Sequence, residues 1–208
     1  MPKTPPAAAR SAGSRRGPRL SAEERRASIL SAAAAVFAES GYQRGRMSEI
    51  AARLGVTEPV VFQNFGSKTA LYAAVVEHAA GRLGEELRTA GEQHSVAVLL
   101  ERFLSHDHIS ELHAPGSAGF LFADAMTVGE PEVAAAARDA VGTVADALAE
   151  LLRRGQDAGD VRSDLDPVAA AWWLLSLLVS HRFRSTVVPG GSATTAGMDA
   201  LVLKTLTG

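Results

Sequence analysis

Between Met47 and Lys68 the chain reads MSEIAARLGVTEPVVFQNFGSK, and the side chains gathered there suit a polyanion and the edges of bases. Thr57, Glu58, Pro59 and Val60 head a short helical pattern, and they lie nearest to base edges if that helix enters a groove N-terminus first. Glu58 can accept from cytosine N4 and Val60 can meet a thymine methyl, while Pro59 contributes shape. Gln63 and Asn64 can donate to backbone or base. Lys68 adds a cation beside the amides of the next helix's N-terminus, which attract anions on their own account. Chemistry of the catalytic kind finds less support. There is no cysteine, no glycine-rich phosphate loop precedes a helix, and no nucleophile or acid/base constellation stands out.

These residues need elements to hold them. Met47, Ile50, Ala51 and Leu54 recur at i, i+3, i+4 and i+7, one apolar face of a two-turn helix, and Gly55 stands where a left-handed C-terminal residue is wanted. Thr57 is a good N-cap, Pro59 fits the first turn of a second helix, and Val60 or Val61 packs inward with Phe65. Helix, tight turn and helix in about twenty residues is the grammar of a helix-turn-helix, whose second helix enters the major groove of DNA. The same shape also serves as a plain structural corner. Upstream, Ser21 and Glu24 form a capping box, and Ile29, Ala33, Val36 and Phe37 give a supporting helix one buried face that ends at Gly41.

Ile50-Ala51, Gly55-Val56, Thr57, Phe62, Phe65, Lys68 and Leu71, together with Ile29, Ala33, Val36, Phe37 and Gly41-Tyr42 upstream, fall at the spacing of a known signature. Over residues 21–76 the chain resembles the tetracycline-repressor (TetR) family of transcriptional regulators. The resemblance implies an all-α fold, with an N-terminal three-helix helix-turn-helix DNA-binding domain joined to a larger helical ligand-binding and dimerisation domain. It departs from the family in places. Small hydroxyl residues are usual at the positions of Gly45 and Arg46, tyrosine at Phe62, and histidine or tyrosine at Asn64. Arg44 and Arg46 are therefore expected to supply the phosphate contact as charged donors, and Phe62 lacks a phosphate-directed hydroxyl.

Composition sets the outer bounds. A chain of 208 residues that is 47% apolar can build a real core and falls outside the disordered class. Its longest apolar stretch is about half of what a spanning helix needs, and its arginine- and proline-rich start lacks the apolar run of a secretory signal, so a soluble cytoplasmic protein without a membrane partner is expected. The net charge of −2 conceals an asymmetry: residues 1–68 carry 11 Lys and Arg against 5 Asp and Glu, so that the remainder is strongly acidic. A basic head on an acidic body suits a phosphate-binding module joined to a different one. Residues 1–20 read as a disordered basic arm, which either follows DNA phosphates or serves as a solubilising tail. The domains are expected at 21–67 for the reader and 68–208 for the rest.

From Lys68 to about Thr89 a long helix is expected, and the resemblance implies that it relays ligand binding to the reader. Two shorter helical patterns follow, separated by HDHISELHAPGS, which reads as an exposed polar loop. His106, Asp107, His108 and His113 in that stretch invite a metal, but their spacing places no i, i+4 histidine pair on one face, so no metal or other cofactor is expected. Phe103, Phe120, Phe122 and Met126, with Trp172 and Trp173, are the candidate lining of an effector cavity that the resemblance places among these helices. Low aromatic content and uncharged apolar helices suggest a neutral or weakly polar effector. The helices at 131–155 and 167–186 are apolar on wide faces, and two such hairpins about a two-fold axis make a four-helix bundle. The whole reads as a homodimeric repressor on a near-palindromic operator in double-stranded DNA, released by an unknown small-molecule effector. The alternative is a helical architectural or interaction protein that binds DNA without answering to a ligand.

Overall fold

The computed structural model describes residues 21–188 and 192–208, so the expected basic arm, residues 1–20, lies outside the described residues. Every regular element described is helical: α1 Ala22–Arg44, α2 Met47–Leu54, α3 Glu58–Phe65, α4 Lys68–Gln93, α5 Val96–Phe103, α6 His106–Leu112, α7 Ala118–Ala125, α8 Pro131–Ala158, α9 Pro167–Val179, α10 His181–Val187 and α11 Ser192–Thr207. Local chemistry explains most boundaries. Ser21 accepts from the Glu24 amide and Glu24 from the Ser21 amide, a closed capping box. Ser67, Ser117 and Asp166 cap α4, α7 and α9 from one side only, accepting from the Ala70, Phe120 and Ala169 amides, and prolines open α8 and α9.

The long helices α4 and α8 pack along one another, and α1 and α9 lie against that pair. One hydrophobic core runs from Ile29 in α1 through Leu71, Val75 and Val76 in α4 to Leu148 and Leu152 in α8, Leu174 in α9 and Leu206 in α11. The segments expected as two domains thus share a continuous interior, with position 67 marked by the α4 cap rather than by a break in packing.

Three elements differ from expectation. Helix α1 does not stop at Gly41 but bends there, at φ +73°, and continues for one turn. The polar stretch after α5 is no loop: Ser105 caps α6, and Ile109, fully buried, ties it to the core. A single buried isoleucine among polar residues is too weak a pattern to mark a helix in advance. The helix expected at 167–186 divides at Ser180, whose hydroxyl donates to the Leu177 carbonyl and so competes with the helical ladder.

Candidate nucleic-acid interface

Helix α2 buries Met47, Ile50 and Ala51, and α3 buries Val61 and Phe65, so their apolar faces clamp the two on α1 and α4. Gly55, at φ +66° and ψ 28°, takes the left-handed position that ends α2 and turns the chain into α3. The opposite face of α3 points out. Thr57, Glu58, Pro59 and Gln63 are exposed, Phe62 is 40% exposed, and Val60 is half-buried. Thr57, expected to cap α3, makes no side-chain cap bond, which leaves its hydroxyl turned outward with the rest.

Beside this face the structure opens a cleft of about 790 Å³, lined among others by Gln43, Arg44, Arg46, Ser48, Glu58 and Lys68. Three of the expected phosphate contacts, Arg44, Arg46 and Lys68, therefore border one concavity. The N-terminus of α2 faces it as well: Arg46 occupies the N-cap without a side-chain bond, so the first amides of the helix have no side-chain acceptor there. Lys68 is held in position, with Nζ donating to the Gln43 carbonyl at 3.2 Å and standing 4.7 Å from the Tyr42 ring centre. Partial burial pushes its pKa below the usual lysine value, against an opposing pull from Asp124. Arg44 Nε donates to the Ser40 carbonyl at 3.1 Å, which folds its side chain back along α1.

Asn64 does not join this face. Its side-chain amide donates to the Val60 carbonyl at 2.7 Å, while its own carbonyl accepts from Arg26, whose guanidinium lies 4.1 Å over the Phe65 ring. A position at the end of a two-turn helix, next to α1, makes that internal bond the nearer one. Arg53, the cation of α2, is also spent internally, gripping Glu39 with two bonds of 3.0 and 2.6 Å and Glu49 with a third. Gln43 and Ser48 escaped sequence reasoning because a single polar side chain at the end of a helix carries no pattern.

Behind the cleft sits a junction that the sequence concealed. Asp124, in α7, accepts from the Tyr42 backbone amide at 2.7 Å and from the Tyr72 hydroxyl at 2.6 Å, both on Oδ2. Burial and that bond push the Tyr72 hydroxyl's pKa well up, so it stays a donor. The Tyr42 hydroxyl shares a 2.9 Å bond with Thr69, and the Tyr72 ring contacts Phe37 edge-on at 4.8 Å. A carboxylate of the C-terminal part thereby holds the backbone at the α1 bend directly behind Lys68.

The residues expected to line an effector cavity scatter. Phe103 and Phe122 are half-buried against the core, and Phe120 is half-buried as well. Met126 stands 60% exposed, and Trp172 and Trp173 are 49% and 38% exposed on the outer side of α9. The inner side of that helix is filled by Ala170, Ala171 and Leu174, so the large rings face away from the interior. No helix among the described residues is long and apolar enough to cross a membrane.

Comparison with known proteins places this architecture. The sequence model of the family described as bacterial regulatory proteins, tetR family, matches residues 29–75, the stretch from α1 into α4. The HTH-type transcriptional activator FasR of Mycolicibacterium smegmatis is 36% identical over 151 residues, 68% of this chain and 65% of that protein. The A-factor receptor protein of Streptomyces griseus is 28% identical over 69% of this chain and 49% of its own. The chain thus spans less than two thirds of the length of either relative. A solved TetR transcription regulatory protein from Mycobacterium vanbaalenii is 29% identical, covering 86% of this chain and 95% of that one with a TM-score of 0.60. The family signature lies on the clamped α2–α3 unit, and the helical body behind it follows the same fold, so the chain belongs to the TetR family of bacterial regulatory proteins.

Proposed function

We propose that this chain is a homodimeric DNA-binding transcription regulator whose affinity for its operator is set by a small-molecule effector. The observation that carries the reading is the exposed α3 head, Thr57 to Val60, standing beside a cleft edged by Arg44, Arg46 and Lys68. Buried apolar faces fix this pair of helices, while the outward groups are those that suit phosphates and base edges. One eight-residue recognition helix reaches only a few base pairs, so a second copy related by a two-fold axis is needed for useful specificity.

The surface that supports pairing is on α9 and α10. Val168, Trp172, Trp173, Val179, Phe183 and Val187 are all more than a third exposed, and apolar groups of this size gathered on two consecutive helices suit a partner surface. The outer side of α8 is charged instead, with Arg138, Asp139, Asp146 and Glu150 exposed. In this reading α9 and α10 form the dry centre of the bundle and α8 its polar flank.

Effector control fits the Asp124 junction, because a shift of α7 on ligand binding moves the α1 bend and the start of α4 together. The effector acts only through its difference in affinity for the DNA-competent and DNA-incompetent arrangements. Repression is the simplest outcome, since an occupied operator obstructs polymerase, and the activator name of FasR marks the other sign. The test is selection from random duplex DNA by the purified protein, followed by titration of the winner at two salt concentrations and transcription from a template that carries it. A palindromic winner bound far above random DNA, with transcript lowered, supports the reading. A raised transcript reverses the sign. Steep salt dependence without enrichment leaves an architectural DNA binder in its place.

A further inference from the structure

Helix α10 turns a cation inward and a phenyl ring outward. Two of its ionisable side chains, His181 and Arg184, one turn apart, are 6% and 7% exposed, whereas Phe183 and Val187 stand 68% and 52% exposed. Burying a guanidinium while leaving a phenyl ring in solvent opposes the transfer preferences of both groups, and a cation taken out of water ordinarily pairs with a carboxylate. Among the described residues, none of the ion pairs involves Arg184. Its Nη1 donates to the Leu177 carbonyl and to Ser180 Oγ, each at 2.8 Å, which satisfies one edge against the C-terminal carbonyls of α9. Among the described residues the buried Nε has no acceptor. Nε belongs to the side-on edge of the guanidinium, the edge with which Arg162 in this same protein holds both oxygens of Asp164 at 2.9 and 2.6 Å.

The surroundings suit a ligand with two chemical ends. The His113 ring, at the C-cap of α6, lies 5.4 Å from that of His181, which is one turn before Arg184. Ile109, one turn before His113, and Leu174, one turn before Leu177, are fully buried, so an apolar residue precedes each of these polar positions by one turn.

We infer that Arg184 anchors an effector site for an amphiphilic anion, an acidic head group on an apolar tail, with the head seated on the unpartnered Nε edge. The inference rests on the sensor reading above and deepens it: a neutral effector, which the apolar helices suggest, leaves the buried cation uncompensated. A carboxylate and a phosphate both offer the two oxygens that the edge requires.

The full chain is titrated by calorimetry with decanoate and with monodecyl phosphate, and with decanol as the neutral control of equal tail, all below micelle formation. The Arg184 Nε–Hε resonance is followed by NMR in parallel. One anion or both should bind about tenfold to a hundredfold more tightly than decanol, as a charge-assisted bond to a buried group implies. The better head group separates carboxylate from phosphate. The Nε signal should move on saturation, and Arg184→Gln should remove most of the preference for the anion. If that variant does not fold, Arg184→Lys and the wild-type resonance carry the test. Decanol binding as tightly as the anions, anion binding that leaves the Nε signal in place, or no binding of either anion overturns the inference. Operator affinity measured in the same samples keeps the two readings apart. Anion binding at Arg184 with DNA affinity unchanged preserves the site and removes the sensor role, whereas operator binding without any anion binding preserves the regulator and removes the site.

Discussion

Lys68 carries two loads at once: its Nζ is tied to the Gln43 carbonyl and the Tyr42 ring, yet it borders the cleft proposed above to receive DNA phosphates. Lys68→Ala should weaken binding to every DNA sequence alike and flatten the salt slope by about one unit, since a phosphate contact carries no base information. A filter-binding series over several salt concentrations measures both, and an unchanged slope removes Lys68 from the interface. Glu58, exposed at the head of α3, is the opposite case. Glu58→Ala should alter the preferred base more than the total affinity, and a repeat selection that returns the same sequence shows that α3 is not the reading helix. Glu39 bears on stability rather than on DNA. The Arg53 guanidinium bonded to it holds its carboxyl below the ordinary value of 4.5, so its contribution is complete above that value and disappears as the pH falls through the lower folded one. Wild type and Glu39→Gln should therefore differ in urea midpoint at neutral pH and converge in acid, whereas a constant difference means that the pair does not titrate as described.

At the scale of elements, the bend in α1 is the point at which the two halves of the chain meet. Gly41 sits at φ +73°, and a Cβ built on it falls 2.6 Å from Asp124 Oδ1. Gly41→Ala combines left-handed strain with the displacement of a hydrogen-bonded carboxylate and should cost about 1–3 kcal/mol. Chemical denaturation reads this directly. A loss near zero shows that α7 yields freely and that the junction transmits little. The α2–α3 unit and the capping box of α1 were legible because each is built from caps, turns and apolar spacings of a few residues, whereas Gly41 was read as the end of α1 and proved to be a bend within it. Asp124 was not legible, being 82 residues from the amide it holds. Helix α6 escaped for a related reason: one buried Ile109 makes it a packed element, and only the core shows that Ile109 is buried.

For the whole molecule, the proposed pairing of two chains is tested where the apolar surface is widest. Trp172→Glu or Phe183→Glu places a charge on a side chain that is 49% or 68% exposed in the single chain, so folding should survive while sedimentation shifts from dimer to monomer. Operator binding should fall to the weak, salt-dependent level of one reader; a mutant that remains dimeric locates the interface elsewhere. Read alone, the chain determined an all-helical fold with a basic head at one end, because caps, left-handed glycines and a 3.6-residue apolar period are local physics written into neighbouring residues, and its resemblance to the TetR family implied a regulator. Which way each helix faces was decided only by tertiary structure. A helix apolar on all sides, such as α9, buries Leu174 and exposes its tryptophans for reasons that lie in α8, and α10 turns Arg184 inward although its composition favours the reverse. Side-chain direction is settled when elements pack, where the total burial of the whole molecule outweighs the preference of any one residue.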